Sequence, residues 1–337
     1  MKKKHDSVLK RYKLKPEGTV EKYRSLIEKD IENFLLNNDE MEIVSCFVCN
    51  SIDNRLLYKK LGFRIVECQE CGMVFVNPRP STEKLQRYYA RSLASAYFQE
   101  NIIEPTQNYR MEKIVGPRLS YLTQKVKNTG NWLDIGCSSG MLLGEGKQVG
   151  WDVYGIEFEN KAKQTAKEKG IYVYDKPIEN LALKDKFDLV TMFEVLEHVN
   201  NPKITLEACL KAMKVGGTIV LTVPNIDGFE FQVVGVHHSN ICPPSHLNYF
   251  GPVTLIRILE KIGFKISEVD TPGLLDVDNI RVFFSKNKSL STGSKMLDEI
   301  INSDTDDAEA NRSILQTLVS NSKNSGHLRV VAKKSNN

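Results

Sequence analysis

With 337 residues and 41% apolar content, the chain is long enough for about two domains and a sizeable core. Its 46 basic and 42 acidic residues leave a formal charge of +4, too mild to argue for nucleic acid or an anionic membrane surface as partner. The basic run Lys2, Lys3 and Lys4 is followed by Lys10, Arg11, Lys13 and Lys15 rather than by an apolar stretch, so no signal peptide is expected. No uninterrupted apolar window is long enough to span a bilayer, and the expectation is a soluble, cytoplasmic protein.

In chain order, Val20, Tyr23, Ile27, Ile31, Phe34 and Leu35 recur at three- and four-residue steps and predict an amphipathic helix over 19–36. Two CxxC pairs follow, Cys46/Cys49 and Cys68/Cys71, in a module over about 44–80 that closes at Asn77-Pro78-Arg79-Pro80. Without an export signal, paired CxxC units point to metal rather than disulfides. The remaining cysteines, Cys137, Cys209 and Cys242, are scattered. One helix is expected from Ser81, as N-cap, to about 99, and another over 109–127, before 128–130 breaks the pattern. From Trp132 on, β-rich runs at 132–136, 153–157, 171–174, 187–193 and 218–223 alternate with helical segments at about 139–149, 160–169 and 202–213. That alternation predicts an α/β fold with a parallel, doubly wound sheet. A helix over 253–262, ended by Gly263, and a sixth strand over 264–270 extend it. Residues 273–325 read as an insertion or cap with two helical patterns, and 327–334 as a last strand.

The run WLDIGCSSG over 132–140 joins the first of these strands to a helix. Gly136 and Gly140 let the backbone turn sharply and approach a ligand. The helix behind them aims free N–H groups and its positive end at the crevice. In open α/β sheets ligands bind there, at the carboxyl ends of the strands. The second strand ends in Gly155-Ile156-Glu157, and a carboxylate at that place suits two ribose hydroxyls. A nicotinamide dinucleotide is disfavoured. Ser138 stands where GxGxxG needs its middle glycine, and Asp134 would face a pyrophosphate unfavourably. Asp134 suits a ligand with an amino group, and S-adenosylmethionine has an amino group, a ribose and no phosphate.

The order WLDIGCSSG, YGIE, FDLVTMFEVLEHVNNP and VGGTIVLTVPN resembles the class I S-adenosylmethionine-dependent methyltransferases over about 130–272. The resemblance implies a seven-stranded, Rossmann-like class I methyltransferase core. It also implies that Asp134, Gly136, Cys137, Ser138 and Gly140 hold the methionine moiety, that Glu157 holds the ribose, and that Asp175, Ile178 and Phe193 border the adenine. Ser138 and Ser139 depart from the family's glycine-rich loop but keep small residues there.

Glu194-Val195-Leu196-Glu197-His198 begins where the fourth strand ends. In a helical turn, positions 194, 197 and 198 would share one face and form half of a divalent-metal site. His246, after the fifth strand, is placed to complete it. The arrangement resembles the ExxEH and later histidine of small-RNA 2′-O-methyltransferases and quinone-ring O-methyltransferases. Carried over, it implies magnesium or another divalent ion on Glu194, Glu197, His198 and His246. The same run in metal-free relatives merely shapes the site. His246 then reads as a general base or acceptor-orienting residue, with Glu194, His198 and Asn225 as further catalytic candidates. His237 and His238 read as exposed and idle.

The spacing C-x2-C-x18-C-x2-C is that of a structural zinc site, and Asn50 and Gly72 after the pairs tolerate the positive φ such turns need. The segment resembles the N-terminal zinc ribbon fused to many bacterial class I methyltransferases that act on sugars or polysaccharides. Arg55, Lys59, Lys60, Arg64 and Arg79 make it modestly basic, which reads as a solvated face. The expected organisation is an N-terminal helical arm (1–43), a zinc ribbon (44–80), a helical linker (81–129), the methyltransferase core (130–272), a cap (273–325) and a last strand with tail (326–337). The expected acceptor is a small hydroxylated molecule, a sugar or nucleotide-sugar, methylated on oxygen. The alternatives are an RNA methyltransferase that uses the ribbon to bind RNA and a catalytically silent scaffold.

Overall fold

The computed structural model of the protein describes residues 11–16, 18–34 and 40–335. The run Lys2, Lys3 and Lys4 and the end of the first helix, at 35–36, lie outside the described residues. Helix α1 (Thr19–Phe34) forms where the apolar spacing predicts it and buries Ile27 and Ile31. The cysteine module contributes strands β1 (Asn54–Lys60), β2 (Phe63–Cys68) and β3 (Val74–Val76), paired antiparallel in that order. The single helix expected over 81–99 is two, α2 (Thr82–Arg91) and α3 (Leu93–Phe98), each capped by a serine. The break has its cause in α1. Buried Asp30 accepts from Ser92 Oγ (2.8 Å) and from the free amides of Leu93 (3.0 Å) and Ala94 (2.9 Å). A carboxylate from one helix thus sits at the positive end of another. Short helical turns over 99–115 lead into α4 (Gly116–Lys125).

The core then alternates as expected: β4 (Asn131–Ile135), α5 (Met141–Gln148), β5 (Asp152–Ile156), α6 (Asn160–Glu168), β6 (Tyr172–Tyr174), β7 (Phe187–Phe193), α7 (Pro202–Ala212) and β8 (Met213–Pro224). After it come α8 (Phe229–Val234), β9 (Asn248–Tyr249), α9 (Pro252–Ile262) and β10 (Phe264–Asp270). The cap holds three helices rather than two: α10 (Asp276–Lys286), α11 (Lys295–Asn302) and α12 (Asp306–Asn321). Ser294 and Thr305 cap the last two, and the polar residues that blur the sequence pattern are these caps. The last strand is β11 (His327–Lys334).

The seven core strands lie in the order β10-β11-β8-β7-β4-β5-β6. Only β11 runs against its neighbours, pairing antiparallel with both β8 and β10. Phe187, Leu189, Val190 and Met192 of β7 are all fully buried, as a central parallel strand covered on both faces requires. Chain order reverses between β4 and β7, so the loops after β4, β5, β7 and β8 meet at one edge of the sheet. That edge is where open α/β sheets bind ligands. The ribbon is built into this body. Strand β9 pairs with β3 and completes a four-stranded sheet, and Lys261 of α9 donates to Val48 O at 2.8 Å. Among the described residues, no helix is long and apolar enough to cross a membrane.

Candidate active site

Strand β4 delivers Asp134, buried, to the crevice. Its Oδ1 accepts from Thr191 Oγ1 at 2.6 Å, and Thr191 accepts in turn from Trp132 Nε1 at 2.8 Å. Burial pushes its pKa up to about 7, against the pull of the Thr191 hydroxyl and the Arg118 charge. Gly136, Ser138 and Gly140 follow with φ of 73°, 49° and 69°, and Gly140 caps α5. The left-handed Ser138 shows that the loop keeps its turn without the middle glycine. Its start is tied to β5 by the amides of Gly136 and Cys137, which donate to Ile156 O at 2.8 and 3.1 Å. The Cys137 side chain packs under Gly155, where any Cβ would strike its sulfur. Glu157 closes the loop from β5. Its Oε2 accepts from Ser138 N at 2.9 Å, and its Oε1 accepts from Phe158 N and Glu159 N at 2.7 and 2.8 Å. Burial raises its pKa, and these amides pull the other way.

Asp134, Gly136, Ser138, Gly140 and Glu157 therefore come together as the sequence predicts. Asp175 is exposed past β6, the side chain of Ile178 lies in the main core, and Phe193 closes β7. The sequence reading missed Arg118 of α4. Its guanidinium lies 4.4 Å from the Phe193 ring centre, near the charges of Glu194 and Asp134. Only the helical pattern of its element marks it in the sequence. A carboxylate and a guanidinium side by side complement the ammonium and carboxylate of an amino acid.

The run from Glu194 to His198 does not form the helical turn that would align its acids. Glu194 takes φ 58°, and a tight turn follows, with His198 N donating to Val195 O at 2.9 Å. Three of the four expected metal-site residues still converge. One oxygen of Glu197 and one ring nitrogen each of His198 and His246 lie within 4.8 Å of one another. Glu194 does not join them. Its left-handed backbone turns the carboxylate toward β8 and β11, where Oε1 accepts from Thr222 Oγ1 (2.8 Å) and faces His327 Nδ1 (3.2 Å). Burial raises the Glu194 pKa, but the His327 charge and these hydrogen bonds outweigh it and bring it down to about 2.

Both imidazoles are held from behind. His198 Nδ1 is 2.6 Å from Ser245 O and His246 Nδ1 is 2.8 Å from Asn240 O. A carbonyl only accepts, so each Nδ1 carries the proton and each Nε2 keeps its lone pair, as in metal-ligating histidines. Glu197 is 1% exposed, and neither of its oxygens has a hydrogen-bond partner among the described residues. Burial and the Glu194 charge push its pKa well above normal, and burial with the His198 charge pushes His246 down to about 3. A divalent cation would satisfy the bare carboxylate and both lone pairs together, so these residues fit one. Asn225, expected to orient an acceptor, is fully buried instead. Its Nδ2 donates to Ser325 O (3.0 Å) and its Oδ1 accepts from Asp227 N (3.1 Å).

A family model described as a methyltransferase domain matches residues 107–269. The ubiquinone biosynthesis O-methyltransferase of Nitrosospira multiformis is 30% identical over 182 residues, 49% of this chain and 76% of that protein. The protein of the same name from Paraburkholderia phymatum is 32% identical over 173 residues, 48% of this chain and 72% of that protein. This chain belongs to the class I S-adenosylmethionine-dependent methyltransferases. A solved S-adenosylmethionine-dependent methyltransferase from Archaeoglobus fulgidus superposes with a TM-score of 0.45 at 22% identity, over 66% of this chain and 94% of that one.

Away from the crevice of this methyltransferase, the four ribbon cysteines cluster as their spacing predicts. Cys46 and Cys71 Sγ are 3.4 Å apart, as are Cys49 and Cys68 Sγ, and none is in a disulfide. Asn50 and Gly72 take φ of 65° and 75°, the turns expected after each pair. Sulfurs bound to one tetrahedral zinc stand roughly 4 Å apart, so the set fits zinc. Of the ribbon's basic residues Arg55, Lys59 and Arg64 are exposed, as the expected solvated face requires, but Lys60 is half-buried and Arg79 leaves that face altogether. Arg79 is fully buried between Phe47 and Phe75 and donates to Asn200 O (2.5 Å), Leu247 O (3.3 Å) and Asn248 Oδ1 (3.2 Å). Lys60 donates to Val236 O (2.7 Å) and His238 O (3.2 Å), and Arg55 pairs with Glu67 at 2.5 Å. His238 is buried rather than idle, its Nε2 3.4 Å from Glu230 Oε1, while His237 is exposed beside Phe283.

Proposed function

We propose that this methyltransferase methylates a hydroxyl oxygen of a small acceptor whose adjacent hydroxyls meet a divalent cation at Glu197, His198 and His246. The observation that carries the reading is the bare, buried Glu197 carboxylate beside two imidazoles whose protons are fixed on Nδ1. Both relatives are named as O-methyltransferases, which supports oxygen as the acceptor atom. S-adenosylmethionine supplies an electrophilic methyl group, and a bound cation makes an acceptor hydroxyl more acidic. The chain's own residues do the rest. Asp134 and Arg118 hold the amino acid end of the cofactor and Glu157 its ribose. Phe193 borders the adenine, and the loop of 136–140 keeps the sulfonium in line with the acceptor. Cys46, Cys49, Cys68 and Cys71 hold a structural zinc, with no open position for chemistry.

Catechols and sugars both carry adjacent hydroxyls, so the test uses 3,4-dihydroxybenzoate and a panel of nucleotide sugars. Methyl transfer is measured with magnesium or manganese and with chelator. Transfer to one of the two classes, lost on chelation and reduced about a hundredfold in Glu197→Ala, is the expected result. Transfer indifferent to chelation, or transfer to RNA instead, overturns the reading.

A further inference from the structure

The geometry points to His327, oriented by Glu194, as the base that takes the acceptor's hydroxyl proton. The inference rests on the hydroxyl acceptor proposed above. Strand β11 runs antiparallel to β8, and the register sets His327 opposite Pro224. The first residue of β11 is thereby brought to the edge where β4 and β7 deliver Asp134 and Glu194. The backbone leading to it is clamped. Asn225 N donates to Gly326 O (2.9 Å), Asn225 Nδ2 to Ser325 O (3.0 Å), and Gly326 N to Asp276 Oδ1 (2.5 Å).

Glu194 is held in a left-handed conformation, φ 58°, that a side chain other than glycine's adopts only at a cost, and such strain gathers at functional sites. Its carboxylate accepts from Thr222 at 2.8 Å and stands 3.2 Å from His327 Nδ1. A carboxylate only accepts, so it fixes the His327 proton on Nδ1 and leaves Nε2 with its lone pair. The side chain of His327 is 49% exposed, and Nε2 has no hydrogen bond among the described residues. His198 and His246 differ in this respect, because one ring nitrogen of each is gathered with Glu197. The charges facing His327 are Glu194 past β7, Asp276 of α10 and Glu230 of α8, with Arg118 acting on Glu194. The Glu194 charge above all raises the His327 pKa, against burial, and strengthens it as a base.

In the step, the acceptor oxygen forms its bond to the methyl carbon as its proton passes to His327 Nε2. The carbon–sulfur bond breaks, its electron pair stays on sulfur, and a neutral thioether leaves. The imidazolium then returns the proton to water.

Two measurements test this on the full chain with S-adenosylhomocysteine and magnesium. In 15N-histidine NMR, assigned with His327→Asn, the neutral His327 ring carries its proton on Nδ1, and Glu194→Gln lowers its pKa. A proton on Nε2, or a titration indifferent to Glu194→Gln, overturns the inference. In kinetics, His327→Asn lowers kcat about a hundredfold or more for 3,4-dihydroxybenzoate. The loss is far smaller for 4-nitrocatechol, whose hydroxyl ionises without help, and affinity for S-adenosylmethionine is unchanged. Equal losses on both catechols also overturn it. If the wild-type chain methylates neither the catechols nor any nucleotide sugar, the acceptor reading fails by itself, and the NMR titration still decides the dyad.

Discussion

In the cofactor site proposed above, Asp134 is asked to do opposite things before and after S-adenosylmethionine arrives. Burial favours its neutral form and lifts its pKa from 3.8 to about 7, whereas an ammonium partner favours the ionised form. The folded state therefore holds this proton more tightly than the unfolded chain. The stability it contributes is complete below the ordinary carboxyl range and is lost as pH rises through about 7. Cofactor binding runs the other way. Calorimetry should show affinity for S-adenosylmethionine rising about tenfold per pH unit up to neutrality and then levelling. Asp134→Asn should bind about 10- to 100-fold more weakly above neutrality, with the pH dependence gone. A slope that survives in Asp134→Asn would remove Asp134 from the cofactor's ammonium. Asp134 and Glu157 are legible in the sequence because strand ends and a glycine turn place them by local rules. Glu194 is not, since the i, i+3, i+4 argument assumes helical φ and one left-handed residue undoes it. His327 is invisible for a different reason: its place beside Glu194, and the role proposed for it, depend on the register of β11 against β8, which no local pattern carries.

At the scale of elements, Arg79 ties the ribbon to the segment that carries His246. Its guanidinium reaches Leu247 O and Asn248 Oδ1, immediately after that histidine, and Asn200 O, two residues beyond His198. Arg79→Met keeps much of the bulk but leaves these buried acceptors without donors, which costs on the order of 3 kcal/mol in chemical denaturation. Arg79→Lys should recover only part, because an ammonium lacks the planar fork that serves several acceptors at once. Loss in neither variant would mean that the ribbon and the histidine segment hold their places independently. The CxxC spacing shows the ribbon plainly in the sequence, but not its fourth strand, because β9 is two residues long and comes from the far side of the core. The cap is legible as helical but not in its number of helices, since serine and threonine caps resemble loop residues until their partners are seen.

On the scale of the whole molecule, Cys46, Cys68, Met73 and Phe75 share one hydrophobic cluster with Phe250, Leu255 and Leu259, as well as with Leu133 and Val190 of the central strands. Ribbon and methyltransferase core therefore melt together. Metal analysis should find one zinc per chain, and stripping it, or Cys68→Ser, should lower the temperature of a single calorimetric transition. A separate low-temperature transition for the ribbon would contradict a shared core. The two-residue strand β9 has a consequence for synthesis. On the ribosome the cysteines of the ribbon emerge early, but the open edge of β3 waits for Asn248 and Tyr249, and the gap between β8 and β10 waits for β11. The ribbon sheet thus stays open at β3 while the whole stretch up to β9 is made, and the core sheet stays split until β11 folds back between β8 and β10.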